Sequence, residues 1–258
     1  MQDFSKLYHY LLKNNIPNAH AVSNLLIREN LATEKNLEKL ISGVPVEHVI
    51  GKVDFYGAEL LVNSSVLIPR PETELLVDVV AKYLKNNSFE SVKLLDVCSG
   101  SGCIAVSLKK KFPNLQVYAI ELSDEALEVA KKNAAFNKVE VHFIKSDLLD
   151  DVRDLKFDVI VSNPPYISLE EYDGLDSSVK SNEPKIALTD GFDGYSIYRR
   201  LSCELPRCLN SGAKIFFEIG CNQKNELSKI FNSFFWKNLR FEKDFASHDR
   251  FFSLEYAQ

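Results

Sequence analysis

Long apolar runs are missing from this 258-residue chain. No uncharged stretch approaches the roughly 18 residues that a membrane-spanning helix needs, so no membrane span is expected. The opening segment, MQDFSKLYHYLLKNN, lacks the continuous apolar core and small-residue cleavage site of a secretory leader. That makes the cytoplasm the expected location. Metal-type cysteine spacing is missing too. Cys98, Cys103, Cys203, Cys208 and Cys221 form no C-x-x-C pair and no zinc-like cluster with histidine. An odd set of thiols in an intracellular chain of this size reads as reduced and mostly buried, and no metal is expected. There is no basic excess either, since the net charge is -5. A protein living on a nucleic-acid backbone usually carries a strong positive bias. Stable nucleic-acid binding is therefore not expected, and protein or small-molecule partners are favoured. What remains, 45% hydrophobic and 26% charged residues, is enough apolar material for one large domain with or without a small one.

Periodicity divides the chain. In residues 1–50, FSKLYHYLLKNN sets Leu7, Tyr10 and Leu11 on one helical face, and AVSNLLIREN and EKNLEKLISG follow similarly. Gly43 and Pro45 end that helical part. Residues 51–70, including VDFYGAELLVNSSVLIP, supply one or two short strands with turn material at Gly57 and Asn63–Ser65. A helix then begins at Pro71. Glu72 and Glu74 suit its positive end, and Leu75, Leu76, Val79, Val80 and Tyr83 make its apolar stripe. From Lys93 onward, strand patterns alternate with helices: KLLDV, NLQVYAIEL, VEVHFIKSD, FDVIVSN and AKIFFEIG are the strands. That alternation predicts an α/β fold with a parallel, doubly wound sheet. LRFEKDFA and RFFSLEY have no helix between them, so one of that last pair is expected to run antiparallel.

The first of these strands runs into Asp96-Val97-Cys98-Ser99-Gly100-Ser101-Gly102. A glycine turn between strand and helix brings a ligand close to free backbone N–H groups, although a tight turn without a ligand has the same look. Two carboxylates favour a ligand. Asp96 ends its strand, where it would face the crevice, and Glu121 ends the next one, where an acidic side chain reaches ribose hydroxyls. Ala105 stands where a dinucleotide fingerprint carries its third glycine or alanine. The acid before the loop belongs instead to the first motif of Rossmann-like S-adenosylmethionine-dependent methyltransferases, which this stretch resembles. It departs from that motif at Cys98, where glycine is common, and at Glu121, where aspartate is common. Asp147 and Leu148, after the third strand, match the position that contacts adenine in that fold. A turn or helix cap is the other reading of Asp147.

The fourth strand runs into Asn163-Pro164-Pro165-Tyr166. Two prolines give a stiff corner that lacks N–H donors and presents carbonyl oxygens, and Asn163 adds a side-chain acceptor. The natural guest of such a corner is a planar –NH₂ group, with Tyr166 as the aromatic wall for its plane. Orientation and charge stabilisation by two acceptors would help methylate a nitrogen whose lone pair is delocalised.

With these motifs in hand, the chain resembles the HemK/PrmC family of release factor glutamine methyltransferases. The resemblance covers most of the sequence: LIPRPETELLV, DVCSGSGCIA, NPPY, the EP of Glu183-Pro184 with ALTDGFDGYSIYRRL, FEIGCNQ, and the DR of Asp249-Arg250. PVEHVIGKVDFYG resembles the family's linker but departs at Glu47 and His48, where Gln and Tyr are usual. The resemblance implies a substrate-recognising helical part (1–50), a β-hairpin linker (51–70) and a class I methyltransferase domain (71–258). It implies S-adenosylmethionine as cofactor, S-adenosylhomocysteine as its product, and the GGQ glutamine of class 1 peptide chain release factors as substrate; separately, a monomer is expected. Asn163, Pro164 and Tyr166 would be catalytic, and these three with Pro165 would hold the substrate. Asp96, Cys98, Ser99, Gly100, Ser101, Gly102, Glu121, Asp147, Leu148 and Asn163 would hold the cofactor. A nucleic-acid amino-methyltransferase shares the first motif and NPPY, and a non-catalytic relative would keep the fold alone. The acidic balance counts against the former, and intact Asn163, Gly100 and Gly102 against the latter. The five histidines show no pairing pattern. Lys109–Lys111 read as a solvated helix end, and IFNSFFWKNLRF as sheet packing.

Overall fold

In the computed structural model, which describes residues 3–87 and 91–258, the chain opens with α1 (Phe4–Lys13), α2 (Ala19–Arg28), α3 (Glu34–Ile41) and the short α4 (Val46–Ile50). Side chains start two of them: Asp3 accepts from Lys6 N–H and Thr33 from Asn36 N–H. Leu7, Leu11, Leu26, Leu37 and Leu40 close a core between these helices, with Tyr10 half-buried at its rim. Complete burial of each leucine is worth roughly 2 kcal/mol.

Gly51 ends α4 in the left-handed conformation and leads into a hairpin of β1 (Lys52–Phe55) and β2 (Ala58–Leu61). Tyr56 and Gly57 both have positive φ, as a two-residue hairpin turn of the I′ type requires. The free edge of β2 is closed by side chains. Asn133 both accepts from Leu61 N–H (2.6 Å) and donates to Leu61 O (3.0 Å), while Asn137 donates to Glu59 O (2.8 Å). This staple holds the hairpin against the helix that carries Asn133 and ends at its C-cap, Asn137.

The remaining elements are α5 (Pro71–Asn86), β3 (Lys93–Val97), α6 (Cys103–Lys111), β4 (Gln116–Glu121), α7 (Asp124–Phe136), β5 (His142–Lys145) and β6 (Phe157–Ser162). After them come α8 (Leu169–Asp173), α9 (Ser177–Asn182), α10 (Lys185–Leu188), α11 (Ser196–Glu204), β7 (Leu209–Glu218), α12 (Lys224–Ile230), β8 (Trp236–Lys243) and β9 (Asp249–Tyr256). The buried face of α5 is turned from the predicted stripe. Thr73, Leu76, Val77, Val80, Ala81 and Leu84 are buried, whereas Leu75, Val79 and Tyr83 are half-buried. The small residues Thr73 and Ala81 let the helix approach the sheet, and Glu74 on the outer side accepts from Tyr56 N–H at 2.7 Å.

Seven strands form one sheet in the order β5-β4-β3-β6-β7-β9-β8. The first five are parallel, and β9 runs antiparallel to both β7 and β8. Strand alternation feeds two cores: Leu94, Val159 and Val161 face α5 and α6, while Leu95, Val97 and Ile160 pack with Tyr198 and Leu201 of α11. Chain order reverses between β3 and β6, where a ligand crevice belongs. There Val97 pairs with Ser162, whose hydroxyl donates to Val97 O at 2.6 Å. The glycine loop and the proline corner therefore leave the sheet side by side.

Two smaller expectations are refined. Lys109 donates to the Pro113 and Leu115 carbonyls and Lys111 lies over the Tyr56 ring, so only part of that lysine run is solvated. Phe231 and Trp236 are buried on the sheet, but Phe234 is exposed. Among the described residues, no helix is long and apolar enough to cross a membrane.

Candidate active site

The loop after β3 is built from left-handed residues. Cys98, Gly100 and Gly102 have φ of 58°, 53° and 75°, which accounts for a small residue at position 98, where glycine would be unstrained. Gly102 is the N-cap of α6 and offers no side chain to its free N–H groups. Asp96 fills that role from below, accepting from Ala105 N–H at 3.1 Å.

That finding corrects the expectation that Asp96 faces the crevice. Alternation puts it on the same side of β3 as Leu94, under α6, and it is fully buried. Burial pushes its carboxyl well above the usual carboxylate range. Its second oxygen, Oδ1, has no hydrogen-bond partner among the described residues.

Glu121, at the end of β4, organises the loop edge. One oxygen accepts from Gly100 N–H (2.8 Å), and the other from Leu122 N–H (2.9 Å) and Ser123 N–H (3.0 Å). Beyond β5, Asp147 accepts from Arg200 of α11 at 2.8 Å, a surface-side tie rather than a helix cap. Leu148 beside it is left-handed, with φ of 50°.

These segments surround a cavity of about 360 Å³. Its wall includes Cys98, Ser99, Gly100, Ser101, Glu121, Asp147, Leu148, Asn163 and Pro165. Asp96, Gly102, Pro164 and Tyr166 are not part of the wall. Gly102 packs instead against α7, where a Cβ would meet that of Ala130 at 3.1 Å. Pro164 is buried, and Tyr166 turns its hydroxyl to Glu218 Oε1 at 3.3 Å.

Asn163 stands at the cavity with its amide nitrogen already engaged. Nδ2 donates to Thr73 Oγ1 at 3.0 Å, and Thr73 Oγ1 donates to Glu218 Oε2 at 2.7 Å. The Tyr166 carbonyl accepts from Gln223 Nε2 at 3.0 Å, and the same nitrogen donates to Gly194 O at 3.0 Å. Arg250 reaches Ile219 O and Asp244 from β9. On the other rim, buried Glu183 accepts from Ile68 N–H (3.1 Å) and from Arg70 (2.6 Å). Desolvation outweighs the arginine and holds the Glu183 carboxyl above its usual range. Asp190 shapes the next loop by accepting from the N–H groups of Phe192, Gly194 and Ser196.

Sequence reasoning assigned no role to Thr73, Glu218, Glu183, Arg70, Gln223 or Arg250, although each lies in a quoted motif. The available signal was polarity where burial was expected: Thr73 inside a first helical turn, and Glu218 closing an apolar strand.

Comparisons with known proteins agree with this architecture. The family model described as "Methyltransferase small domain" matches residues 71–175. The chain is 40% identical over 223 residues to a protein of Enterococcus faecalis named release factor glutamine methyltransferase, covering 86% of this chain and 79% of that one. It is 37% identical over 250 residues to a Lactococcus lactis protein of the same name, covering 92% and 91%. Among solved structures it is similar in fold to a methyltransferase from Pyrococcus furiosus, with a TM-score of 0.56, 20% identity, and coverage of 78% and 89%.

Proposed function

Because the chain belongs to the release factor glutamine methyltransferase family, we propose that it methylates the side-chain amide nitrogen of the glutamine in the GGQ motif of class 1 peptide chain release factors, with S-adenosylmethionine as donor. The observation that carries this reading is the direction of Asn163. Its NH₂ end is tied to Thr73, which leaves Oδ1 as the acceptor for a guest.

The wall of the cavity fits the donor. Ser99 Oγ is buried and has no hydrogen-bond partner among the described residues. Gly100 has open space where a Cβ would stand, so a ligand can approach its backbone. Glu121 retains lone pairs for hydroxyl groups. Carboxylates at Glu121 and Asp147 suit a ribose and a positively charged group better than a pyrophosphate. Cys98, Ser101 and Leu148 complete the wall on this reading.

When bound, S-adenosylmethionine supplies a methyl carbon attached to a cationic sulfur. The protein's share is orientation and charge. Asn163 Oδ1 and the Pro164 carbonyl accept the two N–H bonds of the glutamine amide. Pro165 stiffens the corner, and the Tyr166 ring, held by its hydroxyl, backs the amide plane. Fixing the nitrogen in this way contributes several kcal/mol, and two acceptors favour the positive charge that grows on nitrogen. The methylated nitrogen then loses one proton to water, which needs no strong base. Residues 1–50 would help hold the release factor.

A direct comparison tests the substrate class. Under identical conditions, labelled methyl should enter a class 1 release factor and not DNA or ribosomal RNA. Preferential labelling of either nucleic acid would overturn the reading.

A further inference from the structure

Glu218 carries a carboxylate into the interior at the end of β7, where it is 2% exposed. The described side chains that hydrogen-bond to its carboxylate are donors. Thr73 donates to Oε2, Tyr166 donates to Oε1, and Arg250 adds positive charge from β9. Tyr198 of α11 donates to its backbone carbonyl at 2.6 Å.

An ionised carboxylate only accepts hydrogen bonds. The one hydroxyl proton of Thr73 is therefore committed to Glu218, and only lone pairs of Thr73 Oγ1 face Asn163. The group that meets them at 3.0 Å must donate. That excludes the oxygen end of the Asn163 amide, because two acceptors would then confront each other. Packing alone cannot make this choice, since the two ends of a carboxamide are nearly equal in size.

We propose that Glu218, acting through the Thr73 hydroxyl, is the positioning residue that decides which end of the Asn163 amide faces the substrate. This deepens the methyltransferase reading and rests on it for the identity of the guest. With the opposite orientation, an NH₂ group would face the incoming –NH₂, donor against donor.

Protonation loosens the device. A protonated Glu218 can donate to Thr73 Oγ1, which frees the hydroxyl proton for Asn163 Oδ1 and admits the reversed amide. Burial raises the Glu218 carboxyl to about 7, opposed by Thr73, Arg250 and Tyr166 and reinforced by Glu72 of α5. Cys103 of α6 and Tyr198 also lie within its field. Turnover should therefore fall on the acid side of that value.

Two substitutions separate hydrogen bonding from packing. Thr73→Val keeps the shape and removes the hydroxyl, while Thr73→Ser keeps the hydroxyl and removes a methyl group. With a release factor as substrate, Thr73→Val should lose roughly tenfold to a hundredfold in kcat with donor affinity retained, and its acid limb should vanish. Thr73→Ser should stay within about threefold of wild type. The reverse ranking would show a packing role and overturn the proposal. Side-chain NH₂ resonances of Asn163 in the unmodified full-length protein give a second arm. They should titrate with a midpoint near 7, and a flat profile would overturn the proposal even if the wild-type protein left release factors unmethylated, a result that would overturn only the methyltransferase reading.

Discussion

Gly194 and Tyr166 approach so closely that a Cβ at position 194 would stand 2.5 Å from the Tyr166 carbonyl oxygen. Gly194 also has φ of +82°, a conformation that costs an ordinary residue about 1–2 kcal/mol. The two carbonyls share the Gln223 amide nitrogen. The proline corner is thus clamped from behind by a loop that only glycine can complete. Gly194→Ala should lower kcat at least tenfold and destabilise the protein by about 2 kcal/mol or more. Kinetics with a thermal melt check this, and unchanged values in both would refute the clamp.

Removing the acceptor itself should be more severe. Asn163→Ala deletes Oδ1 and leaves the cavity beyond it intact. By analogy with the loss of one preorganised hydrogen-bonding group, kcat should drop by roughly 10²–10³. Calorimetric affinity for S-adenosylmethionine should remain within a few-fold. Wild-type turnover would show that the acceptor argument is mistaken.

Glu121 makes the opposite prediction. Its carboxylate holds the N–H groups of Gly100, Leu122 and Ser123 and offers its remaining lone pairs to the cavity. Glu121→Ala should weaken donor binding by roughly tenfold to a hundredfold, with kcat at saturating donor much less affected. Isothermal titration separates the two effects, and undiminished affinity would remove Glu121 from the donor site.

The raised Glu218 carboxyl also sets a stability trend. The folded state binds a proton more tightly here than the unfolded chain does, so between the ordinary glutamate value of 4.5 and about 7 folding retains a proton that unfolding releases. The stabilisation from this group is complete below 4.5 and is lost as pH rises through about 7, an effect of order 3 kcal/mol. Glu218→Gln removes the titration. The wild-type melting temperature should therefore fall more steeply between about pH 5 and pH 8 than that of Glu218→Gln, with Asp96 contributing equally to both. Parallel curves would contradict the shift.

Periodicity made much of the fold legible. The five parallel strands announced themselves as short apolar runs such as Leu94–Val97 and Val159–Ser162, and the absence of a helix before Arg250 marked the antiparallel strand. The glycine loop and the proline corner were readable because their backbone needs are local. Asp96 was misread because a carboxylate after a strand looks the same whether it faces a ligand or caps a helix from below. Only the side of β3 on which it falls, together with Gly102 as an N-cap lacking a side chain, decides the matter. The support behind Asn163 was not legible. Thr73 and Glu218 are 145 positions apart, and Thr73 and Asn163 are 90 apart. No spacing rule joins residues that meet only after α5 has packed beside β6 and β7.

The most direct test of the central claim is site mapping of the transferred methyl group. A class 1 release factor is incubated with the purified protein and labelled S-adenosylmethionine, then digested and sequenced by mass spectrometry. One methyl group is expected on the GGQ glutamine and none on a release factor carrying another residue there. Equal labelling of that substituted release factor would contradict it.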